Sequence, residues 1–172
     1  MTEKDIMTRF DEKIKNLEET LPKLETDLNC AALTLTNILE ILDISNSYFY
    51  NLSVPLAGGF GGFKSYKDWK GPCGAVCGGC AAIGIILGGQ RKLKFSEHLK
   101  VYQTAAKFVH YFEKKFGSVS CQGLCGIVFS DLNSMDDYIK DKVWEHQCYK
   151  YVIFAVDKVR ELTASDLKEK WK

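Results

Sequence analysis

Pro72-Cys73-Gly74-Ala75-Val76-Cys77-Gly78-Gly79-Cys80-Ala81-Ala82-Ile83-Gly84-Ile85-Ile86-Leu87 decides how this chain is read. It lies in a run from Gly71 to Gln90 without a single charge, bounded by Lys70 and Arg91. Twenty such residues are long enough to span a bilayer. Seven of them are glycine and three are cysteine, however, so affinity for lipid is weak for the length. A helix apolar all round and rich in small residues is also what a tightly packed central core helix looks like. The expectation is therefore a buried, Gly-rich helix from about Pro72, a favoured first-turn residue, to Leu87, with no membrane span.

The flanking segments supply helices to wrap it. Residues 3–20 read as a charged helix with a thin apolar stripe of Phe10, Ile14, Leu17 and Leu21, broken or restarted at Pro22. From Pro22 to Leu42, Leu24, Leu28, Ala31, Leu35, Ile38 and Leu42 recur at alternating spacings of four and three. Cys30, Leu33 and Ile41 form a second apolar face, so that helix should be sandwiched. Residues 44–70 read as irregular, with glycines at 58, 59, 61 and 62. Ser96 can cap a helix striped by Leu99, Tyr102, Ala106, Val109, Phe112 and Phe116 and ended by Gly117. A short Cys-containing segment occupies 119–130. The last long helix carries Trp144, Cys148, Tyr151, Ala155, Val159 and Leu162 on one face. Only Ile127–Phe129 reads as strand. The expected fold is all-α, a compact bundle of four to six helices around the Gly-rich one. Residues 1–21 would be a charged N-terminal helical extension, and 22–172 a single Cys-rich domain.

With 172 residues, 46% hydrophobic and 26% charged, the chain can bury a core as one domain. A net charge of +1 argues against a nucleic-acid binder. Residues 60–115 nevertheless hold ten bases against three acids. That excess reads as a solvated face, or as a surface that offsets an anionic thiolate centre or docks an acidic redox partner. Asp136-Asp137 and Glu18-Glu19 are adjacent and turn apart on a helix, so no acid–base pair is legible. Gly58–Gly62 lacks the Lys-Ser/Thr of a nucleotide loop.

Seven cysteines are the outlier. The charged start lacks an apolar signal core, so the expected compartment is the reducing cytoplasm, where clustered thiols mean metal or redox chemistry. Cys73, Cys77 and Cys80 share one helical arc near a helix start, where the dipole and free amides favour thiolate. Gly74 and Gly78 leave room there for an inorganic core or a neighbouring helix. Cys121 and Cys125 repeat the four-residue spacing, and Cys148 faces inward from the last helix. Zinc would prefer knuckles or histidine, and His98, His110 and His146 stand apart. Ala81 follows Cys80, which excludes a CxxCH haem c site. All-Cys ligation in a Gly-lined pocket suits an iron–sulfur cluster. Cys30, Cys73, Cys77, Cys80, Cys121, Cys125 and Cys148 are all candidate ligands, and Gly74 and Gly78 candidate cofactor contacts.

Asn29-Cys30-Ala31, Gly58-Gly59-Phe60-Gly61-Gly62, Cys73-Gly74-Ala75-Val76-Cys77-Gly78, Phe116-Gly117-Ser118-Val119-Ser120-Cys121 and Cys148-Tyr149-Lys150-Tyr151-Val152 occur in that order. Gly79-Cys80-Ala81-Ala82-Ile83-Gly84 also fits a literal GCAxxG. In these motifs the chain resembles the C_GCAxxG_C_C family of redox-active proteins over about residues 24–162. The resemblance implies an all-α domain, a mostly anaerobic distribution and a four-cysteine set of Cys30, Cys73, Cys121 and Cys148. It is also similar to the non-haem part of split-Soret cytochromes, where an iron–sulfur site is implied. Cys77, Cys80 and Cys125 are additions to that pattern.

Three readings compete. The first is an iron–sulfur protein that stores or passes electrons to a redox partner protein. The second is a metal-free dithiol–disulfide oxidoreductase or redox sensor using Cys77 and Cys80. The third is a non-redox helical module whose Gly74/Gly78 or Gly84/Gly88 pairs mediate homodimer formation.

Overall fold

The computed structural model of the chain describes residues 5–23, 29–128 and 131–171. Among these it is all-α, with no strand and only two isolated bridges. The helices are α1 (Ile6–Thr20), α2 (Cys30–Ile41), α3 (Ser47–Pro55), α4 (Gly74–Gly88), α5 (His98–Phe116), α6 (Cys121–Cys125), α7 (Leu132–Lys140) and α8 (Tyr149–Lys170). Two single π turns, Leu56–Phe60 and Trp144–Cys148, run into or out of these helices.

Eight helices among the described residues exceed the expected four to six, because three short ones, α3, α6 and α7, were not foreseen. α3 forms inside the stretch read as irregular; Asn46 caps it by accepting from the Tyr48 amide. α7 is capped likewise by Asp131, which accepts from the Asn133 amide. α2 begins at Cys30, where Asn29 accepts from the Ala32 amide. The expected earlier turns around Leu24 and Leu28 lie outside the described residues, as does Phe129 of the expected strand; Ile127 and Val128 are not in a strand.

α4 is the central element, packed against α2, α5 and α8. Its glycines make this possible. A Cβ on Gly78 would stand 2.5 Å from the Ala31 carbonyl oxygen, and one on Gly79 would stand 2.5 Å from the Phe108 ring. Gly74 and Gly78 therefore spend their small size on contact with α2 inside this chain. No described helix is long and apolar enough to cross a membrane.

Helix α2 is sandwiched as its two faces require: Ala31, Leu35, Ile38 and Ile41 are all buried. α1 packs on α2 and α8, placing Phe10, Leu17 and Leu21 in the same core. In α5 the expected stripe holds only in its second half. Leu99, Tyr102 and Ala106 are exposed, Phe112 is fully buried with Val109 and Phe116 packed against the core, and Phe108, outside the stripe, is fully buried as well. Val101, Ala105, Phe108, Phe112 and Phe116 form the inward row. Gly117 ends α5 in the left-handed conformation at φ 78°. α8 buries Tyr151, Val152, Ala155, Val156 and Val159, and its C-terminal end is tied to α4: Lys170 Nζ donates to the Leu87 carbonyl and Trp171 Nε1 to the Ile86 carbonyl.

Candidate functional site

Five cysteines from four parts of the chain gather at one end of α4. Cys30 is the first residue of α2, Cys73 immediately precedes α4, Cys121 and Cys125 open and close α6, and Cys148 ends the π turn that leads into α8. Local chemistry sets each position. The Cys73 amide donates to the Val119 carbonyl at 2.6 Å beside the Pro72–Ser120 bridge, which lays the α4 start alongside the α6 start. Ser120 then caps α6 by accepting from the Gly123 amide. Only glycine fits at 123, since a Cβ there would meet the Ser118 hydroxyl at 2.2 Å. The π turn widens one helical turn around Trp144–Cys148, a device often found where a helix must re-aim a functional side chain.

These thiols border a cavity of about 160 Å³. Cys30, Cys121, Cys125 and Cys148 line it, together with Gly74 and the π-turn residues Ala57 and Gly58. Ile127, Met135 and Tyr138 close the apolar side. Cys73 is buried behind Cys121 and does not line the cavity. The volume is close to that of a cavity of about 150 Å³ that takes up benzene. Among the described residues, no lysine, arginine, histidine or carboxylate lines it.

Hydrogen bonding divides the thiols into donors and acceptors. Cys148 is drawn well below the ordinary thiol range by donation from Cys125 and Cys30, against its burial, with Tyr138 as a third donor. Cys125 Sγ lies 3.9 Å from Cys148 Sγ, and Tyr138 Oη lies 3.7 Å from it. Cys121 is drawn down by donation from Cys73. The donors move the other way: Cys30, Cys73 and Cys125 are held protonated by their bonds to Cys148 or Cys121 and by burial. Cys148 and Cys121 are thus the two sulfurs at which negative charge is most favoured, each beside thiols that favour the protonated form. Cys30 and Cys73 also sit at the N-terminal ends of α2 and α4, whose dipoles favour negative charge.

Cys77 and Cys80 do not line the cavity. Both are half-buried on the outer side of α4. Burial pushes Cys77 up to about 12, assisted by repulsion from Cys80 and Cys121, and Cys80 up to about 11. Gly74 borders the cavity, whereas Gly78 faces Ala31 and Thr34 of α2. His146 is exposed on the π turn.

Among the described residues, no three Cys, His, Asp or Glu side chains converge on a point fit for one ion. Thiolates around a single tetrahedral zinc, each about 2.3 Å from it, would stand about 3.8 Å apart. Cys125 Sγ and Cys148 Sγ stand 3.9 Å apart, close to that spacing, but among the described residues no third ligand completes such a site.

A family profile described as "Putative redox-active protein (C_GCAxxG_C_C)" matches residues 28–162. The chain belongs to this family. No curated protein and no solved structure matches it. The family description supports a redox role for the chain. Within the C_GCAxxG_C_C pattern, Cys30, Cys73, Cys121 and Cys148 all come to the pocket, and Cys125, an addition to it, joins them on the cavity wall. Sequence reasoning missed Tyr138 and Met135. They lie three apart on one face of α7, and the only available signal was the Asp131 cap that starts that helix.

Proposed function

We propose that the protein binds an iron–sulfur cluster in this pocket and stores electrons or passes them to a redox partner protein. One observation carries the reading: cysteines from α2, α6 and the entry to α8 border a single partly open cavity, with Cys73 packed behind Cys121. The donor chemistry fits. Four thiols on the cavity wall select soft metals over magnesium or calcium. Four cysteines on the cavity wall and a fifth packed behind them exceed the four ligands of one tetrahedral ion, which favours a polynuclear guest.

Such a cluster, when bound, supplies one-electron chemistry. The rest is done by the chain's own residues. Cys30, Cys121, Cys125 and Cys148 face the cavity, and the resemblance adds Cys73 to the ligand candidates. The N-terminal ends of α2 and α4 offset the thiolate charge. Ile127, Met135 and Tyr138 keep water from one side, and Tyr138 offers a hydroxyl to Cys148. Because the ligands come from distant parts of the chain, a guest held by them would bind the folded state alone and stabilise it.

The test is anaerobic purification with iron and acid-labile sulfide analysis and electron paramagnetic resonance. The reading expects a coloured protein with the two elements in near-equal amounts. A colourless protein that takes up neither after reconstitution would overturn it and leave the metal-free thiol chemistry or the helical module in its place.

A further inference from the structure

Cys125 is the thiol the family pattern does not require, yet it stands on the cavity wall with its sulfur 3.9 Å from that of Cys148. Cys148 is buried and held by the π turn at the entry to α8. Cys125 is only half-buried and is the last residue of a five-residue helix. Gly126 follows it in the left-handed conformation at φ 74°, with open space around its Cα. The short helix and its glycine stop allow Cys125 to move the small distance needed to bring two sulfurs from contact to bonding distance, about 2.05 Å. No disulfide links any of the seven cysteines, all of which lie among the described residues.

We propose that Cys125 and Cys148 form a reversible disulfide that closes the pocket to any guest. The oxidant is a low-molecular-weight disulfide. Cys148 gives up its proton and its sulfur attacks one sulfur of the reagent, releasing one small thiolate and leaving a mixed disulfide on Cys148. Cys125 then gives up its proton and attacks the Cys148 sulfur, releasing the second. Two protein thiols become one disulfide, and the reagent is reduced to two thiols. The bond uses two of the four cysteines on the cavity wall and joins α6 to the start of α8. It requires no guest in the cavity, so it stands or falls separately from the cluster.

The full-length, metal-free protein is equilibrated with hydroxyethyl disulfide, the remaining thiols are alkylated, and peptides are mapped by mass spectrometry. The expected result is one dominant cross-link, Cys125–Cys148, reversed by dithiothreitol. Cys125→Ser should remove this cross-link without creating another in the pocket, while keeping the helical circular dichroism of the parent. Oxidised parent should also fail to take up iron and sulfide until reduced, if reduced parent takes them up. Cross-linking of Cys148 mainly to Cys30, a scatter of pairs, or pocket thiols that all remain alkylatable would each overturn the proposal. An intact Cys125–Cys148 cross-link in a protein that never takes up iron would refute the cluster alone.

Discussion

Gly78 of α4 lies so close to Ala31 of α2 that a Cβ on it would stand 2.5 Å from the Ala31 carbonyl oxygen, a distance no real contact tolerates. One turn earlier, a Cβ on Gly74 would meet the Ala31 amide nitrogen at 2.9 Å and the Cys30 Cβ at 3.2 Å. This backbone-to-backbone approach sets the start of α2, and with it Cys30, at the edge of the thiol pocket.

Gly78→Ala should therefore destabilise the protein by about 1–3 kcal/mol, the usual cost of overpacking, although alanine is the better helix former by about 1 kcal/mol. Gly84→Ala, where nothing lies within 4 Å, should instead stabilise by up to about 1 kcal/mol. Urea unfolding of the two variants checks both signs.

Cysteine substitutions should sort by position. Cys148→Ser removes the sulfur on which Cys30, Cys125 and Tyr138 converge, and reconstituted iron and sulfide should fall to background. Cys80→Ser, on the outer side of α4, should retain both at the parental level. Metal and sulfide analysis after identical anaerobic reconstitution reads the contrast.

Thiol reactivity should run opposite to exposure. Cys80 is half-buried and reachable, but burial lifts it to about 11, so thiolate is scarce at neutral pH. A two-unit rise leaves about 100-fold less thiolate than an ordinary cysteine. Its iodoacetamide rate should be depressed accordingly at pH 7–8 and should still be climbing tenfold per pH unit at pH 9. Time-resolved peptide mapping in the metal-free protein measures it.

Tyr138→Phe deletes the hydroxyl 3.7 Å from Cys148 Sγ and leaves the ring packed on Trp144. Hydrogen bonds to cluster sulfurs favour the reduced, more negative state. The midpoint potential of a reconstituted centre should thus move down in this variant, read by spectroelectrochemical titration, with iron content unchanged.

Asp166, buried near the C-terminal end of α8, opposes its own desolvation with Lys100 and Lys170, which hold its carboxyl below the ordinary value. A depressed carboxyl contributes stability above its unfolded pKa, about 3.9, and loses it as pH falls through the lower folded value. Asp166→Asn should cost stability at pH 7, and its deficit should shrink steadily below pH 4. Denaturant midpoints across pH 2–7 report it.

The sequence alone determined the all-α class, the central helix and the importance of the thiols. A charge-free, Gly-rich run, the period of α8 and the glycine stop of α5 are local signals that propensity and patterning express directly. Phase was less legible. α5 has apolar residues around much of its circumference, so choosing Phe108 over Leu99 and Tyr102 needed the helices it packs against. α3 and α7 start on Asx caps in mixed-polarity stretches and emerged only with their neighbours in place.

Only the tertiary structure decided which cysteines lie together. Cys73, Cys77 and Cys80 share a helical arc, and spacing treats them alike. Yet the bridge to Ser120 carries Cys73 into the pocket, and the turn of α4 carries Cys77 and Cys80 away from the cavity wall. Likewise nothing near Cys125 announces Cys148, 23 residues further on. Spacing along one helix fixes direction within that helix. Proximity between segments depends on how their surfaces pack, which here is set by glycine contacts, a two-residue bridge and two π turns.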